Sequence, residues 1–322
     1  LMAEVTIEAR GRAAGRINAY NAPWWFLILL LGWIYIVIQM FNQENYNQAF
    51  EQLRDGITLT LWLAFASYAI ALVVGLLTGL VRAYPPEAPP GWRWSHLLTR
   101  PTRRGINHAL SVLGYNLISV YIEFMRGIPP LVFLLIAGFI IVPAIREPFQ
   151  DVINSTLIPF YNIAILPLLQ TFSAETLEPA GDVLWRGRDP ATAIAGLSLI
   201  YGAFLSEVFR AGIQSVPRGQ IEAAQSLGMT YFQTMRHVVI PQAVRNVLPP
   251  LGNNFISMIK DTSLVTVLGT SEITQIARRW TGSQFTYIET YAVLSMIYLT
   301  MTILGSMAVQ IMERRLRKFA RK

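Results

Sequence analysis

Six stretches of this chain are long and apolar enough to cross a lipid bilayer, and they leave little room for any other architecture. They lie at 24–41, 56–81, 117–142, 192–214, 243–268 and 288–312. A bilayer core takes about 20 apolar residues of helix to cross. Inside it no water is available to the backbone, so spanning segments must close their own hydrogen bonds. The expected fold class is an all-α polytopic membrane protein of about six transmembrane helices. Only 14% of the residues are charged, against about 25% in soluble domains. A seventh stretch, 152–169, is apolar but interrupted by Pro159 and Pro167. It reads as an external re-entrant or surface segment, with a further span as the alternative.

Charge placement sets an orientation. Arg10, Arg12 and Arg16 precede the first span, and Arg82, Arg93, Arg100, Arg103 and Arg104 follow the second against the single acid Glu87. The C-terminal tail is also basic. Positive loops face the cytoplasm, whereas 41–55 and 143–190 carry more acids than bases and go outside. Both termini are then cytoplasmic, as is the segment around Glu222. Arg278 and Arg279 fall outside on this map and stand as its exception. The net charge of +7 is thereby a matter of topology; no base-stacking or Gly-rich RNA-binding signature accompanies it, so no nucleic-acid partner is expected. The first apolar run is longer than a signal-peptide core and lacks a small-residue cleavage site, so it reads as a retained span. Leu1 stands before Met2, where the natural start is expected.

Several chemistries lack their residues. There is no cysteine, which removes disulfides, thiolate-bound zinc and thiol catalysis. His96, His108 and His237 are dispersed without metal-ligand spacing, and no phosphate loop, nucleophile elbow or dinucleotide fingerprint occurs. The expectation is no catalytic residue, no metal and no ATP site of the chain's own. Trp24, Trp25, Trp33 and Tyr35 fit interfacial anchors or lipid packing.

Polar residues inside apolar segments are costly and hence informative. Glu123 and Arg126 stand i, i+3 on one helix face and can pair locally; Gly127-Ile128-Pro129-Pro130 breaks or kinks the helix just after them. They form either a structural ion pair or part of a gate. Glu207 and Arg210 repeat the spacing, either neutralising each other or offering both signs to a zwitterion. Asn253, Asn254, Lys260, Asp261, Thr262 and Ser263 make the fifth span polar. Pro249-Pro250 and Gly252 can break it, and broken helices often line cavities. Lys260 and Asp261 are adjacent, so they project about 100° apart and need other partners. They serve either a subunit interface or a substrate path.

Between the fourth and fifth spans the chain reads Glu222-Ala223-Ala224, then Gly228, then Val238-Val239-Ile240-Pro241. Small side chains let a short helix approach another surface, a glycine tolerates positive φ after it, and a proline suits the first turn of the next helix. This spacing resembles the EAA loop of ABC-importer permeases. Three other segments resemble the polar amino-acid uptake branch of that family, the histidine and glutamine type. They are Glu123-Phe124-Met125-Arg126-Gly127-Ile128-Pro129 (with Ile128 for the usual Thr), Tyr201 to Gln220, and Lys260-Asp261-Thr262-Ser263-Leu264.

The resemblance implies a type I ABC importer transmembrane domain over 56–322, a five-helix core with an external insertion near 143–190 and a coupling loop near 217–241. Residues 1–55 add a tail, one further helix and an external loop. It implies two ATP-binding cassette subunits docking on Glu222, Ala223, Ala224 and Gly228, with ATP and magnesium held by those partners. It also implies a second permease subunit, alike or different, an external amino-acid-binding protein, and a bacterial plasma membrane; the added first helix and the insertion favour a different subunit over an identical one. A stand-alone secondary transporter would instead be expected to show an inverted repeat or a charge relay, and a membrane enzyme converging catalytic groups; neither pattern is found.

Overall fold

The computed structural model describes residues 24–87, 103–144 and 190–319. The expected segment 152–169, most of the 143–190 insertion and both extreme termini lie outside them. Among the described residues every regular element is helical. They are α1 (Trp24–Asn42), α2 (Glu44–Ala83), α3 (Arg103–Gly127), α4 (Pro130–Ile136), α5 (Pro190–Gln214), α6 (Arg218–Ser226), α7 (Tyr231–Thr234), α8 (Ile240–Asp261), α9 (Ile273–Gln284) and α10 (Tyr287–Phe319).

All six expected spans are helical, but they differ in kind. Three helices are individually long and apolar enough to cross a membrane: α2, α5 and α10. The expected span 117–142 is two limbs bent by 114°. Pro129 and Pro130 have no N–H to donate, so α3 ends with Ile128 donating to the Phe124 carbonyl, and α4 starts afresh with Val132 and Phe133 donating to Pro129. The expected span 243–268 is α8 followed by a 3-10 segment, Thr262–Leu268, closed by Gly269 in the left-handed region at φ 76. Its asparagines and charges keep it below the apolarity of the other spans.

Two expectations are corrected. The external loop at 41–55 is helix: only Gln43 leaves helical geometry, and α2 begins at Glu44. The stretch has no Gly before Gly56 and no Pro, gains Glu44–Gln48 and Glu51–Arg54 contacts at 2.8 Å, and buries Tyr46, Ala49 and Leu53 against α1, α9 and α10. The break that Pro249-Pro250 and Gly252 could make is absent, because all three sit inside continuous α8. The carbonyls that lose donors belong to Arg245 and Asn246, which are exposed, so the loss falls outside the core. The helical geometry changes later, after Asp261.

The core is the α2–α5 pair. Ser67, Ala71, Gly75, Gly79 and Ala83 recur every fourth residue along α2 and are all buried. They face Ser198, Gly202 and Ser206 on α5, also buried, with Ser198 donating to the Ser67 carbonyl at 3.1 Å. Small faces bring helix backbones close where no hydrophobic force operates between lipid-immersed helices. A Cβ added at Gly75 would lie 2.6 Å from Leu205 Cβ and 3.1 Å from the Gly202 carbonyl oxygen. Gly75→Leu is therefore expected to part the helices at a cost of about 1–3 kcal/mol. A clear drop in the temperature at which the detergent-solubilised protein loses its monodisperse chromatographic peak is the expected reading; an unchanged temperature would refute this packing.

Candidate functional site: a coupling segment, a charge hub and a polar helix end

The segment from Val216 to Val239 is built by local rules. Pro217 precedes α6, whose second turn carries Glu222 and Ala223 outward and Ala224 inward. The helix ends in a Schellman turn: Met229 donates to the Ala224 carbonyl at 3.2 Å, Gly228 donates to Gln225 at 2.9 Å, and Gly228 adopts φ 83. Thr230 and Gln233 then form a capping box that starts α7. A π-helical segment, Met235–Val239, leads into α8, which begins with Pro241 in its first turn. Gly228 takes the positive φ and Pro241 the first-turn place expected of them.

What this segment exposes is unusual. Leu227 is 84% exposed, Phe232 70% and Tyr231 62%, grouped around one turn beside Glu222. Behind them the segment is tied to the membrane helices. Gln242 on α8 donates to Gln220 on α6, Asn246 on α8 donates to Ser215 at 2.7 Å, and Tyr84 just after α2 meets Met235 sulfur at 3.6 Å. α6 is thus bonded to α8, and α8 to Ser215 at the end of α5.

One level further in, five charges converge from three helices. Arg82 on α2 reaches Glu207 on α5 at 2.7 Å and Glu123 on α3 at 3.1 Å. Arg210 holds the other Glu207 oxygen with two nitrogens at 2.6 and 2.9 Å, and Arg126 lies 3.7 Å away. The Glu207–Arg210 pair forms as its spacing predicts. The local Glu123–Arg126 pair does not: each turns to another helix, because Arg82 supplies a cation that the sequence reading had placed in the loop. With three guanidinium groups around it, the Glu207 carboxylate is fully engaged. It stands apart from the polar end of α8, so the structure does not gather the substrate-path candidates into one group.

The rest of those candidates lie on α8 and at the start of the 3-10 segment that follows it. Asp261 accepts from buried Tyr201 on α5 at 2.8 Å, while neighbouring Lys260 is exposed, the divergence expected of adjacent residues. Asn254 donates back to the Pro250 carbonyl at 2.9 Å, and Asn253 is exposed. Thr262 is buried and donates to Ile259; Ser263 is half-buried. Nearby, Tyr68 on α2 donates to the Leu251 carbonyl and stacks edge-on against Phe255. Arg82, Tyr68 and Tyr201 were not singled out as site residues from the sequence; α3 and α5 each carry at least as many bases as acids, so no charge count pointed to Arg82.

The two ends of the molecule are well separated. α9 packs against α2 at Gly56, and the 216–239 segment meets the chain just beyond Ala83, at Tyr84. At about 1.5 Å per residue that is about 40 Å, more than the roughly 30 Å of a bilayer core. Arg278 and Arg279, exposed on α9, thus lie at the end away from Glu222, as the charge map had them.

The family model described as "Binding-protein-dependent transport system inner membrane component" matches residues 108–318. The chain is 30% identical to the probable amino-acid permease protein YxeN of Bacillus subtilis (strain 168), over 84% of this chain and 93% of that one. It is 27% identical to the glutamine transport system permease protein GlnP of Escherichia coli (strain K12), over 82% and 93%. A solved chain, from the crystal structure of an amino acid ABC transporter with histidines, superposes with a TM-score of 0.55 at 29% identity, over 82% of this chain and 94% of that chain. An inward-facing MetNI methionine ABC transporter chain shares the fold at 0.51 and 17% identity, over 82% and 96%. The chain belongs to the family of binding-protein-dependent transport system inner membrane components.

Proposed function

We propose that this protein is the membrane-spanning subunit of an ATP-driven importer of polar amino acids. It would receive its substrate from an external binding protein and be driven by two cytoplasmic ATPase subunits docked on the coupling segment. The observation that carries the reading is that segment: a short helix closed by Gly228 at positive φ, with Leu227, Tyr231 and Phe232 exposed beside Glu222. Three large apolar side chains grouped on an otherwise polar turn are a surface suited to a protein partner.

The chemistry divides along the chain. ATP and magnesium belong to the partner subunits, and this chain converts their motion. Closure of two ATPases would shift α6, and the Gln220–Gln242 and Ser215–Asn246 tethers would carry that shift to α8 and α5. Alternating access needs a ligand with different free energy in the two states, and ATP binding at the partners would supply the difference. Asn253, Asn254, Lys260, Asp261, Thr262 and Ser263 are proposed as path or subunit-interface residues. Glu123, Arg126 and Arg210, with Arg82 and Glu207, are proposed as the ion-pair lock closing the inner end. A second permease subunit, different rather than identical, would complete the pathway in a bacterial plasma membrane, with both termini cytoplasmic. Amino acids are the proposed cargo because relatives along most of the chain bear amino-acid names, glutamine among them.

Gentle detergent extraction of the tagged chain from its native membrane, followed by native mass spectrometry, tests the assembly. An ATPase at two copies is expected, and the same spectrum counts the kinds of membrane subunit. A chain that comes out only with itself, while other membrane complexes in the same preparation survive, would overturn the proposal.

A further inference from the structure

Among the described residues, Glu272 is the only carboxylate or cationic side chain that is fully buried. No cation lies within ion-pair distance of it among those residues. Burying an unpaired charge costs several kcal/mol unless its hydrogen-bonding capacity is filled, and here it is filled. One oxygen accepts from Thr266 Oγ1 at 2.7 Å and from the Gln275 N–H at 2.8 Å. The other accepts from the Thr274 N–H at 2.9 Å and from the Tyr298 hydroxyl at 3.2 Å. Two of these donors are what any cap at the start of a helix offers. The other two are not: Thr266 belongs to the 3-10 segment and Tyr298 to α10. The next residue is fixed as well, because the Ile273 N–H donates to Thr60 on α2 at 3.2 Å.

We propose that Glu272 is a positioning residue for the substrate path, its carboxylate setting where the 3-10 segment Thr262–Leu268 lies relative to α9 and α10. Thr262 and Ser263 open that segment, directly after Lys260 and Asp261. Thr266, the residue Glu272 holds, is one turn further on. A 3-10 stretch of seven residues is longer than its own geometry favours, so it needs external fixing. The functional part of the inference rests on the importer reading; the placement of the segment does not.

The cysteine-free sequence supplies the test. In the full complex, Ser263→Cys is the only thiol on this chain, and its reaction rate with a small methanethiosulfonate reagent reports the position of the segment. Thr266→Val keeps volume but removes one donor. It is expected to change the labelling rate at least threefold and to lower amino-acid uptake into proteoliposomes. Thr266→Ser restores the hydroxyl and should restore both. Glu272→Asp is too short to keep both long-range partners while still capping α9, and should behave as Thr266→Val does; combining the two should add nothing. Should Glu272→Asp fail to assemble, the Val and Ser variants still decide. Labelling and uptake unchanged in Thr266→Val, with only the melting temperature lowered, would overturn the proposal. If labelling shifts as expected but the wild type shows no ATP-driven uptake, the importer reading fails and the positioning role of Glu272 does not.

Discussion

Replacing Gly228 with proline is expected to leave the chain inserted and folded in the membrane while abolishing stimulated ATP hydrolysis by the ATPase subunits proposed to dock on it. Gly228 sits at φ 83, and proline is confined near −65°, so the turn after α6 cannot keep its path. Proline also has no N–H, which deletes the bond to the Gln225 carbonyl. Space is not the issue, because an added Cβ at Gly228 would meet nothing within 4 Å. Gly228→Ala should therefore show only the conformational cost, about 1–2 kcal/mol, and keep part of the activity. The graded series separates a docking defect from a packing defect. Stimulated ATPase in proteoliposomes is the measurement, with the monodispersity of the solubilised chain as the folding control. Coupled transport at the wild-type rate in the proline variant would remove the coupling role from this turn.

That turn was readable in advance because its determinants are local. A glycine two residues after the end of α6 and a proline in the first turn of α8 each fix the backbone around themselves. The helices were readable for the same reason, since length and apolarity decide them. Interhelical choices were not. Glu123 and Arg126 have the spacing of a local pair, yet a better-placed cation arrives from α2, and nothing in the residues around Arg82 announces that. Glu272 has no sequence signal beyond standing before a helix, because its donors come from three elements. The prolines of α8 misled in the opposite direction: a local breaker was outweighed by a helix anchored through Tyr68 and Asn246 to its neighbours. The role of the 41–55 stretch was likewise decided by packing on α1, α9 and α10 rather than by its polar composition.

The charge hub yields the second large effect, and it separates the two roles open to Glu207. Its side chain is 19% exposed and that of Arg82 17%, so screening by water is limited on both. Removing the carboxylate in Glu207→Ala leaves three guanidinium groups facing one another with only Glu123 to offset them. Deleting one member of a buried pair costs about 3–5 kcal/mol; partial exposure of Arg126 and Arg210 reduces this to on the order of 2 kcal/mol. The solubilised chain should lose several degrees of thermal stability. Glu123→Ala, at a side chain 63% exposed, should lose little. Taking away the stranded cation as well, in Arg82→Ala with Glu207→Ala, should recover part of the loss, because two mutually repelling arginines remain instead of three. A purely substrate-facing Glu207 predicts the reverse pattern: unchanged stability in the single variant, no recovery in the double, and uptake lost in both. The saturation of both Glu207 oxygens by arginine favours the structural outcome, with the ion pairs holding α2, α3 and α5 together at the end that carries α6.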